Sequence, residues 1–384
     1  MKYVKVKDLG QIVTGNTPPT SDMSNYGNYM PFIKATDIIL GSRYTYVTEQ
    51  GYSEKSYKKY KANIVPKGST CIVTIGSIGK KITQAHTDLF VNQAINAILP
   101  YKQYDKDYIY YATKYAVLPQ LKIYDSGTTS GRENISKSSF SNIRLYVEED
   151  FSTQQKIASI LSAYDRLIEN NTHRICLLEQ MAENLYKEWF VRFRFPEHEK
   201  VEMVNGLPKG WKVEKIKECV KRLPFGRTYK AKELSQDGEV IVIDQSTSDF
   251  LGFHNNTPDH HATFNSPIIL FGDHSCKFCL MTRNFSLGEN IIPFISKDTK
   301  QIDNYYLYFA THKLIVTEEY KRHWGRLSSM KILIPTIDIQ QKFNKLIIKN
   351  EKMKKLLFIQ NQLLTRQRDL LLPRLMSGKL EVKS

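Results

Sequence analysis

Residues of the kind that bind zinc lie close together in the second half of the chain. Cys276-Lys-Phe-Cys279 carries two thiols at short spacing. Three histidines precede it: His260, His261 and His274. A structural zinc site commonly uses two ligand pairs at defined spacing, and the sequence has one such cysteine pair. The corresponding stretch of the first half, TIGSIGKKI from Thr74, contains neither Cys nor His. We therefore interpret these as ordinary strand and loop residues and predict no metal site.

Two glycine-containing motifs could bind a cofactor or a phosphate, but neither is complete. Adenine methylation needs a Gly-rich cofactor loop and an Asn/Asp-Pro-Pro-aromatic motif that holds the flipped base. In GNTPPT (residues 15–20), Thr17 separates the asparagine from the prolines and no aromatic residue follows, which favours a turn. IGSIGKK (residues 75–81) lacks the spacing and the Gly-Lys-Ser/Thr ending of a phosphate loop. No carboxylate-rich nuclease signature occurs, and we predict a non-catalytic chain.

The net charge indicates a polyanionic partner. The 384 residues include 55 Lys and Arg against 39 Asp and Glu, a formal charge of +16 at pH 7. Such an excess is typical of proteins that bind nucleic acid, which is the default candidate for the partner. A membrane is disfavoured because no run of about 18 apolar residues occurs and the first residues lack a signal-peptide apolar region. The five cysteines, odd in number and mostly scattered, indicate a reducing cytoplasm.

Polar and basic loop residues are the candidates for DNA contacts, since Lys and Arg bind phosphates while Arg, Asn, Gln, Ser and Thr read base edges. In the first half we predict phosphate contacts from Lys80 and Lys81, and further DNA contacts from Thr128, Thr129, Arg132, Asn134 and Lys137. In the second half we predict a phosphate contact from Lys277, a base contact from Gln245, and further contacts from Arg283, Arg322, His323 and Arg326. For each residue taken singly, the alternative is a solvated surface side chain.

These loops need elements to position them, and the clearest element is a long helix present in two copies. Gln154-Gln155-Lys156 returns as Gln340-Gln341-Lys342, and the residues that follow align without a gap. A seam of seven-residue spacing runs through each copy: Ile157, Tyr164, Asn171, Leu178 and Leu185, then Phe343, Asn350, Leu357, Leu364 and Leu371. A flanking row in the second copy consists of Leu356, Leu363 and Leu370. This spacing predicts two long helices that pack as a coiled coil, with one seam Asn each to fix register.

The segments before and between the helices also repeat, which predicts two related globular units. VKVKDL from Val4 aligns with WKVEKI from Trp211, so that Lys5 falls on Lys212. The Pro and Gly residues of the joint cannot continue a helix. We predict an α+β fold with a globular domain over 1–150, a long helix over 151–193, a linker over 194–210, a globular domain over 211–336, and a long helix with the C-terminal tail over 337–384.

Together these features resemble one known family, the specificity (S) subunits of type I restriction-modification systems. The resemblance rests on the two Gln-Gln-Lys helices with IASILSAYDRLIENN in the first, on NGLPKGW in the linker, and on LLLPRLMSGKL near the C-terminus. It covers essentially the whole chain. It implies two repeated mixed α/β target-recognition domains related by a pseudo-twofold, separated by two long antiparallel helices that form a coiled coil.

The resemblance also implies a function. Each target-recognition domain would read one half of a bipartite, asymmetric site on double-stranded DNA, and the helices would set the spacing between the halves. The helices and adjoining surfaces would dock two methyltransferase subunits, which bind S-adenosylmethionine and methylate adenine at N6. A translocase-nuclease subunit can join the complex and cut unmethylated DNA. The chain itself would carry no cofactor.

Two other functions fit parts of the sequence. An enzyme with an unrecognised active site, such as a nuclease, would show turnover by the purified chain with a divalent metal. A purely structural coiled-coil adaptor would lack salt-sensitive DNA binding.

Overall fold

The computed structural model describes residues 1–126, 133–246, 248–316 and 321–382. They form two compact units: the first comprises Met1–Asn171 with Ile359–Ser384, and the second comprises Thr172–Phe358. Each unit contains a sheet domain and one part of each long helix. The unit boundaries therefore fall inside the helices, whereas the predicted domain boundaries fall at their ends.

The sheet domain of the first unit combines an antiparallel and a mixed sheet. Its strands are β1 (Lys2–Lys5), β2 (Gly10–Thr14), β3 (Tyr26–Ile33), β4 (Gln50–Tyr52), β5 (Thr70–Val73), β6 (Ile82–Gln84), β7 (Phe90–Val91), β8 (Ile95–Pro100) and β9 (Arg144–Val147). The sheet orders are β2-β8-β5-β6 and β4-β3-β7, and β1 pairs with β9. Strand β5 is entirely buried, as suits its β-branched residues.

Short helices complete this domain, and a long helix follows it. The short helices are α1 (Val6–Leu9), α2 (Glu54–Lys59), α3 (Lys106–Ala112) and α4 (Lys137–Asn142). Helix α5 spans Phe151–Tyr186 and continues as a wider π turn over Lys187–Val191.

The second unit is built from a similar set of elements. Its strands are β10 (Met203–Val204), β11 (Leu207–Pro208), β12 (Lys212–Lys215), β13 (Val220–Arg222), β14 (Val240–Ile243), β15 (Gly252–His254), β16 (Ile268–Gly272), β17 (Phe278–Met281), β18 (Phe285–Leu287), β19 (Ile291–Ser296) and β20 (Lys331–Ile334). Its short helices are α6 (Ile216–Cys219), α7 (Asn304–Thr311) and α8 (Trp324–Ser329), and the long helix α9 spans Ile337–Met376.

The two sheet domains have the same topology. Sheet β13-β19-β16-β17 repeats β2-β8-β5-β6, sheet β15-β14-β18 repeats β4-β3-β7, and the pair β12-β20 repeats β1-β9. The parallel pairing of β3 with β7 recurs between β14 and β18. The predicted repeat of mixed α/β units is confirmed, but its register at the start differs. Strand β1 begins at Lys2 and the equivalent strand β12 begins at Lys212, so Lys2, and not Lys5, is the structural equivalent of Lys212.

Within each unit, the segments of α5 and α9 run antiparallel. In the first unit Asp165 pairs with Arg368, and Asn171 donates to Gln360 Oε1 at 3.1 Å. The same order holds in the second unit for two pairs, Glu179 with Lys354 and Trp189 with Phe343.

The predicted seam and the predicted flanking row differ in burial. Four seam residues are buried: Ile157, Asn171, Phe343 and Leu357. Six are half-buried: Tyr164, Leu178, Leu185, Asn350, Leu364 and Leu371. The flanking row is exposed: Leu356, Leu363 and Leu370. The buried stripe is thus narrower than the apolar pattern, since the pattern continues onto the outer face of α9.

The first glutamine of each Gln-Gln-Lys triplet has a structural role that explains its repetition. Gln154 and Gln340 are fully buried. Their Oε1 atoms accept the backbone N–H of Asp105 and Asp303 at 2.8 Å. These aspartates are the N-caps of α3 and α7. Each glutamine therefore ties the start of a long helix to the start of a helix in the sheet domain.

No helix among the described residues is both long and apolar enough to span a membrane.

Candidate nucleic-acid interface

In the first unit, the turn between β5 and β6 is held against the segment that leads to α4. Gly76 in this turn has φ of 87°, a left-handed value that favours glycine. The Glu133 carbonyl accepts from Gly76 N at 3.0 Å, and Glu133 Oε2 accepts from Ile78 N at 3.2 Å. The turn that carries Lys80 is therefore fixed next to the polar segment predicted to read bases.

A third segment, the loop of residues 34–49 that follows β3, meets the same turn. The Lys81 ammonium donates to the Ala35 carbonyl at 2.7 Å. Asp37 Oδ2 accepts from Lys34 N at 2.8 Å and closes the start of the loop. Lys80, one residue before Lys81, is exposed. Of the two lysines predicted to bind phosphate, Lys81 is therefore engaged with the protein backbone.

The equivalent turn of the second unit, between β16 and β17, also holds the segment that leads to α8. Asp273 Oδ1 accepts the backbone N–H of His323 at 3.1 Å and of Trp324 at 2.9 Å. Arg322 Nε lies 4.0 Å from Asp273 Oδ2, and the Arg322 side chain is 83% exposed. His323 is fully buried, so its ring would have to leave this position to reach a base.

The loop that follows β14 meets this turn through two residues that the sequence assigned to DNA. The Lys277 ammonium donates to the Asp244 carbonyl at 3.3 Å and to the Ser248 carbonyl. Gln245 Oε1 accepts from His274 N at 3.1 Å. Both side chains therefore connect the loop to the turn in this structure.

The remaining predicted contacts of the first unit lie near the segment before α4. Asn134 is half-buried, and its backbone N–H donates to Asp125 Oδ1 at 2.8 Å. Lys137 is the exposed first residue of α4. Three predicted residues lie outside the described part of the chain: Thr128, Thr129 and Arg132.

The two other predicted arginines of the second unit lie apart from each other. Arg326 is exposed on α8, next to the converging loops. Arg283 Nη2 donates to the Glu239 carbonyl at 3.1 Å. Glu239 precedes β14, whereas the converging loop follows β14, so Arg283 lies at the opposite end of this strand.

The cysteine pair does not form a shared ligand set. Cys276 packs against one core cluster of the second unit and Cys279 against another. His260 is buried against an aromatic ring, and burial lowers the pKa of its imidazole. Among the residues that the structure describes, no group of three His, Cys, Asp or Glu side chains is placed to hold a metal ion.

The outer faces of the long helices carry apolar side chains at equivalent positions. In the Gln-Gln-Lys alignment, Leu167 on α5 corresponds to Met353 on α9, and they are 51% and 42% exposed. Leu177 corresponds to Leu363, and they are 42% and 56% exposed. Each unit therefore presents, from each helix, one member of these two corresponding pairs. Exposed apolar groups at repeated positions indicate a protein-docking surface.

Comparison with known proteins points to one family. A model of the type I restriction modification DNA specificity domain matches residues 1–180. Over 425 aligned residues the chain is 28% identical to the type I restriction enzyme MjaIX specificity subunit of Methanocaldococcus jannaschii, covering 99% of this chain and 93% of that protein. Over nearly its whole length, this chain is therefore similar to the specificity subunits of type I restriction enzymes.

Two further specificity subunits share part of the sequence or the fold of this chain. The HindI specificity subunit of Haemophilus influenzae is 30% identical over 184 residues, which cover 45% of this chain and 38% of that protein. The crystal structure of a type I restriction-modification system S subunit from M. genitalium matches with a TM-score of 0.59 at 16% identity, covering 98% of this chain and 96% of that one. This last likeness concerns the fold and supports the predicted α+β class.

Sequence reasoning missed the loop after β3 and, apart from Gln245, the loop after β14. Ile39 and Leu40 in the first loop are 68% and 63% exposed, and Phe250 in the second is also exposed. The signal that could have identified these loops is the position of the strands that precede them. Both loops follow strands that occupy the same place in the repeated sheets β4-β3-β7 and β15-β14-β18.

Proposed function

We propose that this chain is the DNA sequence-recognition subunit of a type I restriction-modification complex. Each sheet domain reads one half of a bipartite, asymmetric DNA site. The observation that carries this proposal is that the same three segments meet around the β5–β6 turn and around the β16–β17 turn, with different side chains in each. Two sheet domains with the same topology but different loop side chains suit two different half-sites, because individual side chains read the base edges.

Charge supports DNA as the ligand. The chain has a formal charge of +16. Exposed cations of the converging segments are Lys80, Lys137, Arg322 and Arg326. Such cations bind phosphates and make the affinity fall as salt rises. The contacts predicted for Thr128, Thr129 and Arg132 belong to the same proposal.

The exposed side chains of the long helices dock two methyltransferase subunits. Leu167 and Leu363 of the first unit correspond to Met353 and Leu177 of the second, so each unit offers the same kind of surface to an identical partner. The methyltransferase subunits bind S-adenosylmethionine and methylate adenine, and this chain supplies no catalytic group. The long helices set the spacing between the half-sites. A translocase-nuclease subunit can join the complex, which acts on DNA in the cytoplasm.

Mapping of N6-methyladenine tests this proposal. A host without other adenine methylation expresses the methyltransferase subunits with or without this chain. We expect methylation at a bipartite motif, two specified halves separated by a fixed number of unspecified bases, in the strain with the chain.

Two results would contradict it. Turnover of DNA by the purified chain with magnesium would identify an enzyme. DNA binding by the complex that does not depend on this chain, or on salt, would leave it as an adaptor.

A further inference from the structure

Lys81 and Lys277 occupy the same position in the two repeated sheet domains. Lys81 immediately precedes β6, and Lys277 immediately precedes β17. Strands β6 and β17 are the last strands of the equivalent orders β2-β8-β5-β6 and β13-β19-β16-β17. The sequences around the two lysines differ, TIGSIGKKI against FGDHSCKFC, so their equivalence comes from the sheets.

Both ammonium groups bind the backbone of the loop that leaves the central strand of the mixed sheet. Lys81 donates to the carbonyl of Ala35, just beyond the end of β3. Lys277 donates to the carbonyl of Asp244, just beyond the end of β14, and to that of Ser248. A hydrogen bond from a charged donor is stronger than a neutral one, and it fixes the loop relative to the turn.

The loops held in this way present different side chains to solvent. We call residues 34–49 the first readout loop, and residues 244–246 with 248–251 the second readout loop. The first exposes Ile39 and Leu40, and the second exposes Asp249 and Phe250. Apolar side chains can contact the thymine methyl group and carboxylates can accept from cytosine N4, so loops of this kind can distinguish base pairs.

We propose that Lys81 and Lys277 are positioning residues that hold the two readout loops in the conformation that recognises DNA, rather than contacts to phosphate. This inference rests on the proposed function and adds to it a location for base readout. It separates Lys81 from Lys80, which is exposed and suited to a phosphate. The adjacent lysines thus have different roles.

The two roles differ in what their removal does to DNA recognition. Loss of a phosphate contact weakens binding to all sequences about equally and lowers the slope of log affinity against log salt by about 1. Loss of a loop anchor relaxes discrimination at the bases that the loop reads. It leaves the salt slope unchanged, because the ammonium never neutralised a phosphate.

The test uses the complex of the full chain with its methyltransferase subunits, with the host genome as the DNA probe. Lys81→Met should make at least one position in one half of the methylated motif degenerate, with about tenfold loss of discrimination. Lys277→Met should do the same in the other half. Lys80→Met is the matched control, and it should keep the motif while lowering the salt slope on a duplex that carries the motif.

An unchanged motif with a reduced salt slope in Lys81→Met would overturn the inference and make Lys81 a phosphate contact. If the Lys81→Met chain does not assemble with the methyltransferase subunits, the Lys81→Arg variant distinguishes a loop anchor from a phosphate contact. Arginine keeps the charge that a phosphate needs, so a wild-type motif would overturn the inference. A relaxed first half-site would support it, because the longer planar guanidinium displaces the loop. Absence of a bipartite motif in the wild type would instead reject the proposed function itself.

Discussion

The two units attach their long helices to equivalent sheet domains by different chemistry. In the first unit, buried ion pairs add to the apolar packing between the helices and the sheet domain. Arg43 donates to Ser162 Oγ of α5 at 2.8 Å, and its Nη2 lies 2.7 Å from Asp107 of α3. Arg368 of α9 lies 2.5 Å from Asp165 of α5, and both side chains are 4% exposed.

In the second unit the corresponding contact is aromatic. The ring of Phe343 on α9 lies 5.1 Å from that of Phe190 and 5.4 Å from that of Phe309 on α7. Tyr186 of α5 stacks on Phe309 at 6.0 Å. Aromatic pairs at these distances add to the free energy gained from burial of their surface.

Two positions account for much of this difference. Tyr111, whose hydroxyl donates to Asp165, corresponds to Phe309 when α3 and α7 are aligned at their N-caps. Arg368 corresponds to Ala182 in the Gln-Gln-Lys alignment. The same topology therefore permits either attachment. The ionic attachment is destabilised more by a single substitution, because removal of one partner leaves the other charge buried.

The largest expected effect comes from breaking the buried ion pair. Arg368→Met should lower the stability of the first unit by about 3–5 kcal/mol, because Asp165 stays buried without its cation. Hydrogen exchange on the full chain measures this, and amides of α3 should lose protection while those of α7 keep it.

Two variants check the cause. Arg366→Met removes an exposed arginine from the same helix and should change stability by less than about 0.5 kcal/mol. Asp165→Leu combined with Arg368→Met should restore much of the protection, because no charge is then left unpaired. A double variant as unstable as Arg368→Met would show that the loss comes from packing rather than charge.

A smaller effect is expected when the first unit receives the residue of the second. Tyr111→Phe removes a hydrogen bond to a carboxylate and should cost about 1.5–3 kcal/mol. Exchange at the amides of α3 is again the measurement. Tyr115→Phe, at an exposed position of the same region, is the control. Equal protection in the two variants would mean that the Tyr111 hydroxyl contributes little to the network.

The sequence predicted the helices and their seams well, because heptad spacing is a local property. Ile157, Phe343 and Leu357 are buried as the spacing requires. It did not reveal that Asn171 donates to Gln360 and Asn361, at 3.1 and 3.0 Å, since partner register depends on the folded unit.

The loops were less predictable for the same reason. A lysine in a glycine-containing turn is typical of a phosphate contact, and that pattern fits Lys81 as well as Lys80. The carbonyl that Lys81 binds belongs to Ala35, far away in sequence, so the contact exists once β5, β6 and β3 are in place. The Gln-Gln-Lys triplet has the same limit. Its repetition is visible in the sequence, but the hydrogen bond from Asp105 N–H to Gln154 Oε1 that explains it is a tertiary contact.

The second unit has a charged contact of its own, at the margin of the aromatic cluster. Glu183 of α5 lies 2.6 Å from His312 Nε2 and 2.8 Å from the Lys313 ammonium. Partial burial raises the pKa of Glu183, but the hydrogen bond to Lys313 and the interaction with His312 outweigh it and hold the pKa below its usual value. A carboxylate with a lowered folded pKa stabilises the fold above its unfolded pKa and loses this contribution as the pH falls through the folded pKa.

We therefore expect Glu183→Gln to cost about 1 kcal/mol near pH 7, the typical net contribution of one hydrogen bond, because the amide can keep part of the contact. The difference from the wild type should shrink as the pH falls through the carboxyl range, when the wild-type Glu183 is itself protonated. Urea unfolding at several pH values measures it, with the exposed Glu199→Gln of the same unit as the control. A difference that stays constant down to the lowest pH would assign the effect to packing.

The smallest effect on stability is expected on the outer faces of the long helices. Substitutions there test whether the two units share the same docking surface. Leu177→Asp and Leu363→Asp change equivalent exposed residues, so each should alter the free energy of unfolding by less than about 0.5 kcal/mol. Each charge lies in one of the two proposed docking surfaces, where burying it against a partner is costly. Native mass spectrometry should then find one methyltransferase subunit per chain instead of two for each variant, and none for the double variant.

The control is Gln362→Asp, which changes an exposed neighbour that is already polar, and it should keep two methyltransferase subunits. Two subunits bound to the double variant would place the docking surface elsewhere and leave the repeated leucines without this role.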